Sequence, residues 1–130
     1  MTRIHTQVTG TAQAERNLAR HQAKIHRAIR TEISKVAEAI RRDARSHLDD
    51  SGVRPVSRTG RLARSLGIIP LADGLNVRIT TRLDYGAFLE FGTRRMPAYP
   101  WLGPAVARHA AGFRQNIRKL LRALHGRSAK

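Results

Sequence analysis

Residues 11–51, TAQAERNLARHQAKIHRAIRTEISKVAEAIRRDARSHLDDS, contain neither glycine nor proline. Within them Leu18, Ile25, Ile29, Ile33, Val36, Ile40, Ala44 and Leu48 recur at steps of seven, four and three, the period that puts side chains on one face of an α-helix. Arg16, Arg20, Lys24, Arg27, Arg30, Arg41, Arg42 and Arg45 project from the other side, so the stretch predicts one long amphipathic helix that separates an apolar stripe from cations. About 37 residues at ~1.5 Å each span roughly 55 Å. A compact chain of 130 residues has a diameter of only about 36 Å. One end of the helix is expected to overhang, and an apolar stripe running into the overhang is expected to be covered by a neighbouring subunit.

Before the helix, Ile4, Thr6 and Val8 alternate with Arg3, His5 and Gln7, a short half-buried strand that Gly10 ends. After it, residues 49–58 form a polar loop with Gly and Pro, and Thr59 is placed to cap a helical turn through Arg61, Leu62, Ala63 and Arg64. Leu66 to Leu71 and Leu75 to Thr81 read as a hairpin around Asp73-Gly74. A tight two-residue loop would put Pro70 in a hydrogen-bonded pair facing Val77, where proline has no N–H to give. The register therefore predicts a four-residue loop of Ala72 to Leu75, closed by Leu71 opposite Asn76, with Val77 and Ile79 still facing inward.

Asp84 is placed to cap a short helix holding Tyr85, Phe88 and Leu89, with Gly92 as its terminator. Alternation of Leu83, Tyr85, Ala87, Leu89 and Phe91 would also permit a strand; the helix is preferred. Pro97 and Pro100 mark a constrained extended loop. Pro104 suits the first turn of a last helix that turns Val106, Phe113, Ile117, Leu120, Leu121 and Leu124 inward. The fold class expected is α+β, with a long N-terminal helix, a small antiparallel sheet with a hairpin, and a C-terminal helix. One domain over residues 1–130 is expected, since the length supports a single modest core.

The charge narrows the partners. Twenty-five Lys plus Arg against nine Asp plus Glu give +16, a surface that seeks a polyanion or an acidic partner. No acid follows Glu90, so the C-terminal third is cationic throughout, although a solvated helix face is the plainer reading of any one run. Arg108, Arg114, Arg118, Lys119 and Arg122 are the candidates to face DNA or an acidic protein. Without cysteine there is no thiol nucleophile, disulfide or zinc–thiolate site. Neither a signal peptide nor a membrane span is visible.

Two ordered motifs remain. Thr59-Gly60-Arg61-Leu62-Ala63-Arg64-Ser65-Leu66 precedes Tyr85-Gly86-Ala87-Phe88-Leu89-Glu90-Phe91-Gly92-Thr93, which leads into Met96-Pro97-Ala98-Tyr99-Pro100-Trp101-Leu102-Gly103-Pro104-Ala105. Together they resemble the signature of the head–tail joining, neck or tail-completion proteins of long-tailed double-stranded DNA bacteriophages, the gene-product-ten-like minor tail component family. The family pattern is Thr-Gly-Arg-Leu-Arg-x-Ser-Ile, then Tyr-Ala-x-Tyr-Val-Glu-Phe-Gly-Thr, then Pro-Ala-Arg-Pro-Phe-Leu-Arg-Pro-Ala. Departures here are Arg58 where an aspartate usually stands, Gly86 for Ala, Tyr99 and Gly103 for arginines, and Trp101 for Phe. They put in doubt any contact carried over from those arginines.

The resemblance implies a virion protein at the head–tail junction, assembled in the host cytoplasm. It implies a homo-oligomeric ring, a hexamer first and a dodecamer second, that joins portal and tail, meets other neck, portal-adaptor and tail proteins, and lets genomic DNA pass. It assigns motif or interface roles to Thr59, Gly60, Leu62, Ser65, Tyr85, Glu90, Phe91, Gly92, Thr93, Pro97, Pro100, Trp101, Pro104 and Ala105. In physical terms these are shape residues. Phe91, Trp101 and Leu102 are apolar anchors, buried at a core corner or, for Trp101 with Tyr99, offered to a neighbour. Gly92 permits a positive φ. Glu90 is expected to pair with Arg94 or Arg95, or else with an arginine of the next subunit.

Catalytic chemistry is not legible. His5, His21, His26, His47, His109 and His125 show no paired ligand spacing, no nucleophile elbow or phosphate-binding Gly-rich loop occurs, and Asp49-Asp50 reads as a solvated turn. A structural role without enzyme activity, cofactor or metal is expected. The competing reading is a small basic, sequence-independent nucleic-acid-binding protein. It lacks a helix-turn-helix or an aromatic base-stacking platform.

Overall fold

The computed structural model describes residues 11–49 and 60–126. Helix α1 (Thr11–Asp49) is followed by α2 (Arg61–Ser65), strands β1 (Gly67–Pro70) and β2 (Val77–Thr80), α3 (Tyr85–Phe91) and α4 (Gly103–Gly126). The α+β class expected from the sequence is therefore present. The opening strand at residues 3–9, the loop at 50–58 and the cap at Thr59 lie outside the described residues.

α1 is unbroken over 39 residues, roughly 58 Å at ~1.5 Å per residue. α4, with 24 residues, runs back along it. Arg108 meets Asp43, Asn116 meets Glu32, and the His125 ring stands edge-on to His21, so the two helices are antiparallel. Much of the apolar stripe is thus covered within the chain: Ile33 is buried, and Ile25, Ile29, Val36 and Ile40 are half-buried. Residues 11–20 are exposed throughout, including Leu18 at 68%. The overhang is real and sits at the N-terminal end of α1. In α4, Phe113, Ile117, Leu120, Leu121 and Leu124 are half-buried, whereas Val106, expected inward, is 42% exposed.

The core lies at the other end, where the last turns of α1 meet α2, α3 and the start of α4. Ala44, Leu48, Leu62, Ala63, Leu66, Leu89, Trp101 and Ala105 form it, flanked by Ile40, Leu83, Met96, Tyr99 and Leu102. Ala44 and Ala105 are both fully buried, and side chains this small let the two long helices approach closely. Leu62 is the largest side chain that is completely enclosed. Its burial contributes about 2 kcal/mol.

The hairpin follows the proline argument. Pro70 pairs with Val77, Leu71 N–H donates to Asn76 O at 2.9 Å, and Gly74 N–H donates to Leu71 O at 2.9 Å. The single bond from Leu71 N–H to Asn76 O thus closes the loop, and Pro70 occupies a pair that needs no N–H. Within the loop the Asp73 carboxylate accepts the Leu75 and Asn76 N–H groups at 3.0 and 3.1 Å and also the Asn76 side-chain amide. Those bonds hold its carboxyl below the ordinary aspartate value of 3.8, the Asn76 side chain having the largest effect. The strands are shorter than their apolar runs, because Leu66 is drawn into the core and Leu75 belongs to the loop.

Candidate assembly site

The two motifs meet around Trp101. Glu90, on the last turn of α3, accepts three backbone N–H groups from the start of α4: Trp101 at 2.7 Å and Leu102 at 2.9 Å on Oε2, and Gly103 at 2.8 Å on Oε1. A helix start leaves its first amides without partners and carries partial positive charge, and a carboxylate answers both. The next residue, Pro104, has no N–H to satisfy. The ion pair expected between Glu90 and Arg94 or Arg95 is therefore replaced by a cap on α4. The amides lie eleven to thirteen positions downstream, and only the fold brings them within reach.

Gly92 makes the return possible. Its φ is +73°, and a Cβ there would stand 2.8 Å from Ala98 N and 3.0 Å from Met96 O. The turn that follows is closed by Thr93 N–H to Met96 O at 2.8 Å, with Tyr99 N–H donating to Leu89 O at 2.7 Å. Trp101 is 5% exposed, so the core-corner alternative holds and the ring is not offered to a neighbour. Its indole N–H donates to Gly86 O at 2.9 Å. A Cβ at Gly86 would lie 3.1 Å from both Leu62 Cδ1 and Thr81 Cγ2 and 3.6 Å from the indole. The indole at 101 packs where Gly86 leaves room for it.

The upstream motif closes the same corner. Gly60 adopts φ +63° at the start of α2, and its carbonyl accepts Arg64 N–H at 3.0 Å. Ser65 Oγ donates to Leu62 O at 2.8 Å and shares a hydrogen bond with Thr81 Oγ1 at 2.5 Å. Thr81 Oγ1 accepts Leu83 N–H at 3.1 Å. Asp84 makes no side-chain cap: its own backbone is already helical, so its carboxylate is not placed over the first amides. Thr81 and Arg45, whose Nε–H donates to Ala63 O at 3.0 Å, are joints that the sequence did not reveal. Arg45 stood on the cationic side of α1 and gave no sign of reaching inward.

Leu62, Trp101 and Ala105 are thus brought into one core, with Ser65, Glu90 and Gly92 bracing it. Pro97, Pro100 and Pro104 remain on the surface. Phe91 does not enter the core corner. It is 81% exposed, and with Phe88 at 53% it forms an aromatic ridge along α3, bordered by Tyr85 at 37%. Leu89, on the other face, is the side chain of α3 that enters the core.

The cations fall into two groups. Arg108 Nη1 is 2.8 Å from Asp43 Oδ1, and that carboxylate also has His109 Nε2 at 3.4 Å and His47 Nε2 at 3.9 Å. This gathering across α1 and α4 was not legible; the Asp43–His47 spacing of four was its one sequence signal. No group of side chains suited to a metal ion occurs among the described residues. Arg114, Arg118, Lys119 and Arg122 are exposed on the middle and C-terminal turns of α4, well away from the Trp101 corner, and none makes an ion pair among the described residues. Arg114, Arg118 and Arg122 fall at steps of four, one row along the helix. No described helix is long and apolar enough to cross a membrane.

A family model described as "Bacteriophage HK97-gp10, putative tail-component" matches residues 12–92. No curated protein and no solved structure matches the chain. The match runs from the first turn of α1 through the hairpin to Gly92 and leaves the proline-rich segment and α4 outside it. It takes in well over half of the sequence, including the Thr-Gly-Arg-Leu element and Glu90-Phe91-Gly92, and the chain belongs to this family of bacteriophage tail components.

Proposed function

We propose that the chain is a structural subunit of the phage head–tail junction, without catalytic activity. In this reading residues 1–130 act as one unit, and copies assemble into a ring that joins the portal or connector to the tail and lets DNA through. Six copies are the first choice and twelve the second. The observation that carries the reading is the overhang: α1 extends past α4 with Leu18 exposed, while the core described above occupies only the opposite end. A helix left uncovered at one end of a small domain is stabilised when a neighbour packs on it. A ring of chains of net charge +16 repels itself unless anions meet it, either acidic neighbouring rings or DNA in the channel. Arg114, Arg118, Lys119 and Arg122 are the residues proposed to meet them.

Electron microscopy of the purified full chain tests the ring. Binding of unrelated duplexes across a salt series tests the charge. A ring that binds them alike, with affinity falling steeply as salt rises, is expected, since phosphates carry no sequence information. The exposed arginine row also favours a second reading, a sequence-independent nucleic-acid-binding protein. Duplex binding by a monomer that forms no ring would select it.

A further inference from the structure

Phe91 lies between two residues that the fold requires, the cap Glu90 and the positive-φ Gly92, yet it is itself 81% exposed. Phe88 and Phe91, three residues apart, lie on the side of α3 away from buried Leu89, and Tyr85, four residues before Leu89, borders Phe88 at the edge of the core. Two neighbouring phenylalanine rings left this open to water are unfavourable in a lone subunit. Their surroundings are cationic. Arg82 stands three residues before Tyr85, and Arg94 and Arg95 stand in the turn just after Gly92; all three are exposed, and none makes an ion pair among the described residues. Of the nearby acids, Glu90 is engaged by backbone amides, which leaves Asp84.

Charge decides among occupants. A second copy brings another +16 to an already cationic patch. A DNA duplex would satisfy the arginines but keeps its bases stacked inside, with nothing to cover the rings. An acidic protein segment that also presents apolar side chains rewards both, and aromatic residues with arginine are the types enriched where such contacts carry binding energy. We propose that the Phe88 and Phe91 ridge of α3, bordered by Tyr85, is a docking surface for an acidic, partly apolar segment of a different polypeptide. The inference rests on the structural-subunit reading only in naming that polypeptide as another component of the particle.

The test uses the full chain and a labelled helical peptide with leucines at helical spacing and glutamates elsewhere, followed by fluorescence anisotropy. Two control peptides replace its glutamates with glutamine or its leucines with glutamate. Light scattering on the same samples reports the oligomeric state. The Leu/Glu peptide is expected to bind at least about tenfold more tightly than either control, and Phe88→Ser with Phe91→Ser to lose about tenfold or more of that affinity. Arg94→Glu with Arg95→Glu is expected to weaken it too, while circular dichroism and oligomeric state stay as in the parent. Should the double variant fail to fold, Phe91→Ser alone, at a site already open to solvent, gives the same readout. Equal binding by the phenylalanine variants, or equal binding of the glutamate-only peptide, overturns the proposal. So does loss of the oligomer in those variants, which would make the ridge a copy-to-copy contact, or a loss confined to duplex DNA. A parent that forms no ring but binds the peptide through the ridge contradicts the ring and leaves the docking surface standing; an intact ring with ridge-independent binding does the reverse.

Discussion

Glu90 holds three amides with one side chain, so its truncation exposes more than a missing charge. Glu90→Ala leaves partly buried donors without an acceptor and is expected to cost about 2 kcal/mol in urea unfolding, with Glu90→Gln recovering part of the loss. Gly92→Ala forces a Cβ against backbone atoms of Ala98 and Met96 and holds alanine at a positive φ, for a cost on the order of 2 kcal/mol. Asp73 gives a pH signature. Its carboxyl is held below 3.8 by Asn76 and Leu75, so its contribution is complete above that value and is lost as the pH falls through the lowered one. Asp73→Ala should flatten that acid limb of the stability profile. At this scale the sequence was legible for Gly92 and for the general role of the motifs as shape. It was misleading for Glu90 and Phe91, because what a side chain meets depends on segments that composition and spacing do not position.

The elements followed their periodicities where local physics dominates. A stretch free of Gly and Pro, with apolar residues at helical steps, became α1, and the missing N–H of Pro70 determined which hairpin loop forms. Packing decided what periodicity left open. Leu66 and Leu75, apolar and flanking the strands, went to the core and to the loop. Val106 follows the helical period of α4 but falls where α1 does not reach it, and it stays exposed. The Trp101 corner joins α2, α3 and α4 against α1, so damage there should loosen all four together. Leu62→Ala, at a fully enclosed side chain, is expected to cost about 3 kcal/mol. Trp101→Phe removes the donor to Gly86 O and opens space beside Gly86, so it should destabilise the parent and do so less in a Gly86→Ala background. A double-mutant cycle by chemical denaturation reads that coupling.

For the whole molecule, two features remain unused by the subunit's own core: the overhang of α1 with Leu18, at one end, and the aromatic ridge of α3, at the other. In this account the overhang is the surface left for a neighbouring copy, and the ridge is the surface left for a different polypeptide. The overhang was legible because helix length can be compared with domain size. The ridge was not, since its aromatic spacing reads equally well as core. Leu18→Asp should leave the subunit folded, because the side chain is 68% exposed, and should weaken assembly. Ile33→Asp, at an 8% exposed site in the middle of α1, should unfold the subunit at a cost of several kcal/mol. Circular dichroism with light scattering separates the two outcomes. The most direct measurement is cryo-electron microscopy of the purified chain, parent beside Leu18→Asp. Closed rings of six or twelve subunits, with the α1 overhang buried against the next copy and Arg114, Arg118 and Arg122 on the lumen or a ring-to-ring face, are the expected result. A parent that remains monomeric at every concentration, or a ring in which residues 11–20 and those arginines all face open solvent, would contradict it.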